Sequence, residues 1–230
     1  MSVFRFKYFE IEQDGAPQKV GTDAMVLGAL VDTYEPKQIL DVGTGNGVLA
    51  LICAQKFTQA IVTGLDIFEE ATSVADFNFK QSPFASRMHV VHQNFLDYQV
   101  SEKFDLIISN PPYFNTQMPS ENNLRSLARH EDSMSVIDLI IHSLELLSEN
   151  GELWMIVPSN RYEELTQQQK LVNIKKVIQI FGKPGNHVRD ILVFAKNVEK
   201  QISISDFTIR DVQGNYTAAY NELTKELHFR

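Results

Sequence analysis

Gln38-Ile39-Leu40-Asp41-Val42-Gly43-Thr44-Gly45-Asn46-Gly47 decides the fold. Its first half is a short β-rich run, and its second half is a glycine-rich turn that leads into a helical pattern from Val48 to Phe57. A strand, a glycine turn and a helix in that order open an α/β sheet that binds its ligands at the carboxyl ends of the strands. The alternation continues downstream. Strands are expected near Gln38 to Gly43, Ala60 to Ile67, Met88 to Asn94, Phe104 to Asn110, Gly151 to Pro158, Ile174 to Phe181 and Ile191 to Lys196, seven in all. Besides the first helix, the spacing predicts helices at Glu69 to Gln81 and Ser135 to Ser148, the latter from the repeat of Val136, Leu139, Ile140, Ser143, Leu144 and Leu147.

This order gives an α/β, Rossmann-like sheet of seven strands, mainly parallel, with helices on both faces. Pro184-Gly185 falls between the last two strands and turns the chain back antiparallel, so the sheet is mixed and closes on a hairpin. Ahead of Gln38, the stretch Lys19 to Val31 repeats Met25, Val26, Ala29 and Leu30 at helical spacing, with Thr22 or Asp23 placed as a cap. This helix is expected to pack across the ligand edge of the sheet. The tail from Ile202 to Arg230 has room for a strand and a short helix. The expected organisation is one domain: an N-terminal extension over the ligand site (1–37), a core (38–197) and a C-terminal addition (198–230).

Composition sets the outer limits. With 230 residues and 43% hydrophobic content the chain can bury one substantial core. A net charge of -8 argues against a protein that coats nucleic acid nonspecifically, although a local basic patch can still hold an RNA. Cys53 is the single cysteine, so no internal disulfide can form; it lies in an apolar helical pattern and reads as a small core residue in a reducing compartment. The stretch Met1 to Gly15 alternates aromatic and charged residues, and no segment reaches the roughly 20 apolar residues a bilayer span needs. A monomeric cytoplasmic enzyme with no membrane segment is expected. His89 and His92, three apart on a strand, point to opposite faces, and there is no cysteine pair, so no metal site is expected.

The glycine turn favours S-adenosylmethionine over a dinucleotide for two reasons. Counted from Gly43, the dinucleotide fingerprint needs a third glycine at position 48, where Val48 stands. In addition, Asp41 at the mouth of the loop would repel a pyrophosphate and attract the ammonium of a methionine moiety. The expected cofactor set is Asp41, Gly43, Gly45 and Gly47 in the loop and Asp66 at the end of the second strand for the ribose hydroxyls. Asn94 and Phe95 follow the third strand, one to bond and one to stack on the adenine. Glu69 and Glu70 read as acids in a helix's first turn.

Asn110-Pro111-Pro112-Tyr113 follows the strand Phe104 to Asn110 and therefore stands on the same edge. An amino or amide nitrogen is a poor nucleophile because its lone pair is delocalised. The side-chain oxygen of Asn110 and the carbonyl of Pro111 can each accept one N–H and aim the lone pair at a sulfonium methyl. The successive prolines stiffen the turn, and Tyr113 offers a ring on which a planar substrate can stack. Asn110 thus serves both the acceptor and the cofactor side. No general base is evident; a methylated amino cation is acidic enough to lose its proton to water.

The chain resembles the bacterial transfer-RNA adenine-N6 methyltransferases that modify adenine 37 of a valine tRNA, over a stretch from Phe4 to about Asn197. The resemblance is carried by Lys19-Val20-Gly21-Thr22-Asp23, Asp41 to Gly47, Asn110-Pro111-Pro112-Tyr113-Phe114, Arg129-His130-Glu131 and Arg189-Asp190-Ile191-Leu192-Val193. It implies that Lys19, Gly21, Thr22 and Asp23 lie beside the methionine end of the cofactor. It also implies that Phe114, Arg129 and His130 border the acceptor base. Asn94 stands where many members of that family carry an acid. A tRNA substrate needs phosphate contacts, for which Arg5, Lys7, Arg125, Arg129, Lys175, Lys176, Lys183, His187 and Arg189 are candidates. Asn-Pro-Pro-Tyr serves glutamine amides equally well, so a protein glutamine N5-methyltransferase is the nearest alternative. Only about 37 residues precede the first strand, which leaves little room for the helical N-terminal domain such enzymes carry. A noncatalytic nucleoside-binding module is the second alternative.

Overall fold

Aliphatic and β-branched runs alternate with amphipathic ones along this chain, and a computed structural model turns them into one layered sheet. It describes residues 2–14, 19–111, 134–159, 173–198 and 201–228. In chain order these form β1 (Val3–Arg5), β2 (Glu10–Glu12), α1 (Thr22–Leu30), β3 (Gln38–Val42), α2 (Val48–Lys56), β4 (Ile61–Asp66), α3 (Glu69–Gln81), β5 (Met88–His92) and β6 (Phe104–Ser109). After these come α4 (Val136–Leu146), β7 (Leu147–Pro158), β8 (Ile174–Lys183), β9 (Asn186–Ala195), β10 (Ser203–Thr208) and α5 (Ala218–Thr224).

Eight strands form the main sheet in the order β10-β8-β9-β7-β6-β3-β4-β5, while β1 and β2 make a separate hairpin. Every pairing in the main sheet is parallel except those of β9, which runs antiparallel to both β7 and β8. The expected closing hairpin is therefore present, with Gly185 at φ +78° in its turn. The expected count of seven strands is corrected to eight. The tail's strand, Ser-Ile-Ser-Asp-Phe-Thr, joins the edge of the sheet, and its polar, mostly exposed residues give little of the apolar signal that marks the inner strands.

Helix ends also shift. Ser135 caps α4 rather than belonging to it: its Oγ accepts from the Asp138 amide at 3.1 Å and its amide donates to the Asp138 carboxylate at 3.2 Å, a reciprocal capping box. The chain then passes directly into β7 at Leu147, four residues before the strand expected at Gly151. A bulge in the pairing with β6 absorbs the extra residues, and a side chain at Gly151 would lie 2.7 Å from the Phe104 carbonyl oxygen. For α1, neither Thr22 nor Asp23 caps the start; Gly21 occupies the cap position without a side-chain bond, and the other two lie in the first turn.

The period of two along each strand splits the core in two. Ile39 of β3 joins Val62, Leu106, Ile108 and Trp154 beneath α1, α2 and α3, whose Leu27, Leu51, Ile52 and Phe79 are buried there. Its neighbour Leu40 joins Ile107, Leu153 and Met155 beneath Leu139 and Ile140 of α4. Burying one such Leu or Ile contributes about 1.5–3 kcal/mol. Cys53 is buried in the first core, and burial pushes its thiol well above the ordinary range, which fits a packing role. Among the described residues no helix is long and apolar enough to cross a membrane.

Candidate active site

Register brings the carboxyl ends of four strands into one row. Val42 of β3 pairs with Ser109 of β6 on one side and Leu65 of β4 on the other, and Asp66 pairs with His92 of β5. One residue beyond those pairs, Gly43 stands between Asn110 and Asp66. At about 4.8 Å per strand, Asn110 and Asp66 lie about 10 Å apart along the edge, close enough for one nucleoside to bridge. From β3 the chain builds outward to β4 and β5, then returns to place β6 on the other flank of β3. That reversal opens the crevice in which doubly wound sheets bind ligands.

The loop is shaped from beneath. Gly43 and Gly45 have φ of +72° and +57°, and a side chain on either would meet nothing within 4 Å, so their outer surface is open to a ligand. Gly47, at φ +82°, faces inward: a Cβ there would sit 2.5 Å from Cε1 of Phe79. The amides of Gly43 and Thr44 both donate to the Leu65 carbonyl, at 2.8 and 3.0 Å. Asp66 ties the second turn, its Oδ2 accepting from the Gly45 amide at 2.9 Å and its Oδ1 from the Phe68 amide at 3.1 Å. Each oxygen keeps a second lone pair, the capacity that two ribose hydroxyls require.

Asp41, expected at the mouth of the loop, lies under it. Its side chain is 1% exposed, and Oδ2 accepts from the Thr44 hydroxyl at 2.7 Å and the Ala50 amide at 3.1 Å. Burial lifts its carboxyl to about 7, against the pull of those two donors. It braces the turn against α2. Phe95 is likewise an inward residue, 3% exposed and edge-on to the His142 ring at 4.9 Å, so neither ring face is open. Asn94 caps the short 3₁₀ turn that Phe95 begins, its Oδ1 accepting from the Leu96 amide at 3.1 Å.

Lys19 and Thr22 are exposed beside Gly21 at the entry to α1. That entry is held by an ion pair of Asp23 with Arg189 Nε at 2.9 Å. Arg189 sits at the start of β9, and because β9 runs backwards its start shares the edge with the end of β7, opposite Pro158. Asn110 is partly buried and Pro111 buried. Pro112, Tyr113, Phe114, Arg125, Arg129 and His130 lie outside the described residues.

Among the described residues the phosphate candidates do not form one patch. Arg5 pairs with Glu10, Lys7 with Glu226, Lys175 with Glu152 and Lys176 with Asp32. Lys175 and Lys176 begin β8 and so sit on the edge opposite the glycine loop. Lys183 and His187 end and begin the β8–β9 hairpin on the loop's own edge. His89 and His92 are both exposed, and His92 Nε2 lies 3.0 Å from the Ile67 carbonyl.

Asn78 was not singled out by pattern, yet it organises the loop. Only 1% exposed, it donates through Nδ2 to the carbonyls of Asn46 (2.9 Å) and Glu12 (3.1 Å) and accepts from the Glu12 amide at 2.9 Å. It thereby joins α3, the glycine loop and the N-terminal hairpin. The signal was available: in α3 the buried positions are Ala71, Thr72, Ala75, Asn78 and Phe79, and an amide on that face needs buried partners.

Comparison with known proteins agrees with this geometry. Residues 18–181 match the methyltransferase small domain. The chain is 38% identical to the tRNA1(Val) (adenine(37)-N6)-methyltransferase of Pedobacter heparinus over 235 residues, covering 98% of this chain and 97% of that protein. It is 32% identical to the protein of the same name from Vibrio vulnificus, covering 99% and 95%. Among solved structures, a predicted O-methyltransferase from Agrobacterium tumefaciens aligns with a TM-score of 0.69 at 18% identity, covering 90% of this chain and 98% of that one, a likeness of fold. The chain belongs to the methyltransferase small domain family and to the family of tRNA1(Val) (adenine(37)-N6)-methyltransferases.

Proposed function

We propose that this chain transfers a methyl group from S-adenosylmethionine to N6 of adenine 37 in the anticodon loop of a valine tRNA, in the cytoplasm, as a single-domain monomer. The observation that carries the proposal is the row Asn110–Gly43–Asp66 at the reversal point of the sheet. The cofactor fits the residues present: an open glycine surface at Gly43 and Gly45, and a carboxylate at Asp66 with spare lone pairs. When bound, it supplies a methyl on a positively charged sulfur, ready for displacement by a nitrogen lone pair.

The chain's own residues position the reactants. Gly43, Gly45 and Gly47 shape the backbone along the methionine, with Lys19, Gly21 and Thr22 at its far end and Asp41 holding the turn in place from below. Asp66 takes the ribose, and Asn94 stands beside the adenine, with Phe95 packed beneath that turn. Asn110 Oδ1 and the Pro111 carbonyl each accept one N–H of the substrate amino group, which orients its lone pair toward the methyl. Pro112 and Tyr113 complete the clamp, and Phe114, Arg129 and His130 border the base. One N–H proton leaves to water after transfer. An anticodon-loop base is already single-stranded, so bringing it into the crevice costs little unstacking.

The test is transfer of labelled methyl to bulk tRNA from a strain that lacks the modification, followed by nucleoside analysis. N6-methyladenosine in the tRNA is expected. Label on protein alone, or on nothing, overturns the proposal.

A further inference from the structure

Most of the proposed cofactor residues run from Asn110 toward β5, while Lys19, Gly21 and Thr22 stand at the α1 entry that Asp23 ties to Arg189 on β9. Farther along the same edge lie the ends of β8 and β10, clear of that set. At its far end the C-terminal addition builds a second hairpin. Beyond β10, the Ile209 and Arg210 amides continue the ladder by donating to the Phe181 and Gly182 carbonyls at 2.8 and 3.2 Å. Arg210 then bridges back to Tyr216, and the Thr217 amide donates to the Ile209 carbonyl at 3.0 Å. This hairpin lies beside the end of β8: the Lys183 ammonium is 3.7 Å from where a side chain would begin on Gly214.

The two hairpins interleave cations with rings. The Arg210 guanidinium lies 4.0 Å over the Tyr216 ring, and Tyr216 stacks on Tyr220 at 4.5 Å with 12° between planes. On the neighbouring hairpin, His187 stacks on Phe181 at 5.1 Å. Tyr216 is 44% exposed, and Lys183 is exposed as well. Neither Lys183 nor Arg210 has a carboxylate partner among the described residues, in contrast to Arg5, Lys7, Lys175 and Lys176. The nearby Asp211 is turned onto its own loop, accepting from the Asn215 amide at 2.9 Å. Stacked rings with unpaired cations hold single-stranded nucleotides whatever their sequence. From Asn110, β8 is three strands away and β10 four, about 14 and 19 Å at the usual spacing. Those distances correspond to nucleotides a few positions from a base held in the clamp.

We infer that the 209–217 hairpin, with Lys183 beside it, is a docking platform for the RNA strand flanking the target base. This rests on the RNA reading of the site. Arg210 and Tyr220 cover the two faces of the Tyr216 ring, so the outer face of the Arg210 guanidinium receives a base, and Lys183 receives a phosphate.

The experiment measures binding of a fluorescent anticodon stem-loop RNA to the full chain, independently of methyl transfer, across a salt series. Arg210→Ala is expected to weaken binding about tenfold, the scale of one lost stacking contact. Lys183→Ala should lower the slope of log affinity against log salt by about 0.7, as one lost phosphate contact does. Lys196→Ala, at the opposite edge of the sheet, serves as the control and should bind like wild type. Cofactor affinity by calorimetry reports folding; because Lys183 is exposed and has no carboxylate partner among the described residues, its variant keeps the test valid even if Arg210→Ala fails to fold. Unchanged affinity and salt slope in Lys183→Ala overturn the platform. Wild-type binding without methyl transfer would overturn the functional reading while leaving the platform standing, and a wild type that binds no stem-loop overturns both.

Discussion

Replacing Gly47 with alanine tests whether the glycine loop is held by packing from below. Two costs add. At φ +82° an alanine sits in the left-handed region, a penalty of about 1–2 kcal/mol. Its Cβ also falls 2.5 Å from Cε1 of Phe79, and forcing an extra carbon into a packed site costs about 1–3 kcal/mol. The midpoint of the sum is about 3.5 kcal/mol, which in a chain of this size lowers the melting temperature by about 7–14 °C. Phe79→Leu separates the two costs, because it removes the ring edge while leaving the backbone angle as it is. In that background Gly47→Ala should cost only the backbone part, so the double-mutant cycle should show a coupling of about 1–3 kcal/mol by urea unfolding. Strict additivity would refute the steric account, since the ring would then contribute nothing to the choice of glycine.

Asp41 makes stability pH-dependent in a stated direction. Its folded carboxyl, lifted to about 7 from an ordinary 3.8, stays neutral in the folded protein after the unfolded chain has ionised. The stability this group contributes is fully present below pH 3.8 and is lost as pH rises to about 7, a change on the order of 4 kcal/mol. Asp41→Asn should therefore gain on wild type across that interval and run parallel to it above; urea midpoints that keep a constant difference would contradict the buried neutral carboxyl. Asn110→Ala should lower turnover by about 100-fold or more while leaving cofactor affinity nearly intact. Calorimetry showing cofactor affinity falling as steeply as turnover would make the cofactor contact, rather than the acceptor contact, the main role of Asn110.

Elements with a strong period could be read from the chain. The β3 run, the glycine turn and the long apolar stretch of β6 imposed their geometry locally, and parallel register then brought Gly43, Asp66 and Asn110 together. What could not be read was the direction in which individual side chains point. Asp41 and Phe95 stand at strand ends, as expected, but each turns inward onto neighbours distant in sequence, Ala50 and His142. Ion pairing was equally hidden: nothing near Arg189 in the chain announces Asp23, 166 residues away. The tail's strand was expected only as room between Ile202 and Arg230 and was not counted in the sheet, because an edge strand with Ser203, Ser205 and Asp206 outward lacks the apolar run that reveals an inner one.

That same polar strand has a consequence for the chain's behaviour in concentrated solution. Without it, β8 would be the last strand, offering its open amides and carbonyls along Val177, Ile178, Ile180 and Phe181, a β-branched and aromatic row suited to pairing with another molecule. With β10 in place, the outermost backbone belongs to a six-residue strand that is mostly exposed and carries serine and aspartate. Such a short, hydrophilic border recruits further strands poorly, so the C-terminal addition guards the sheet against growing edge to edge.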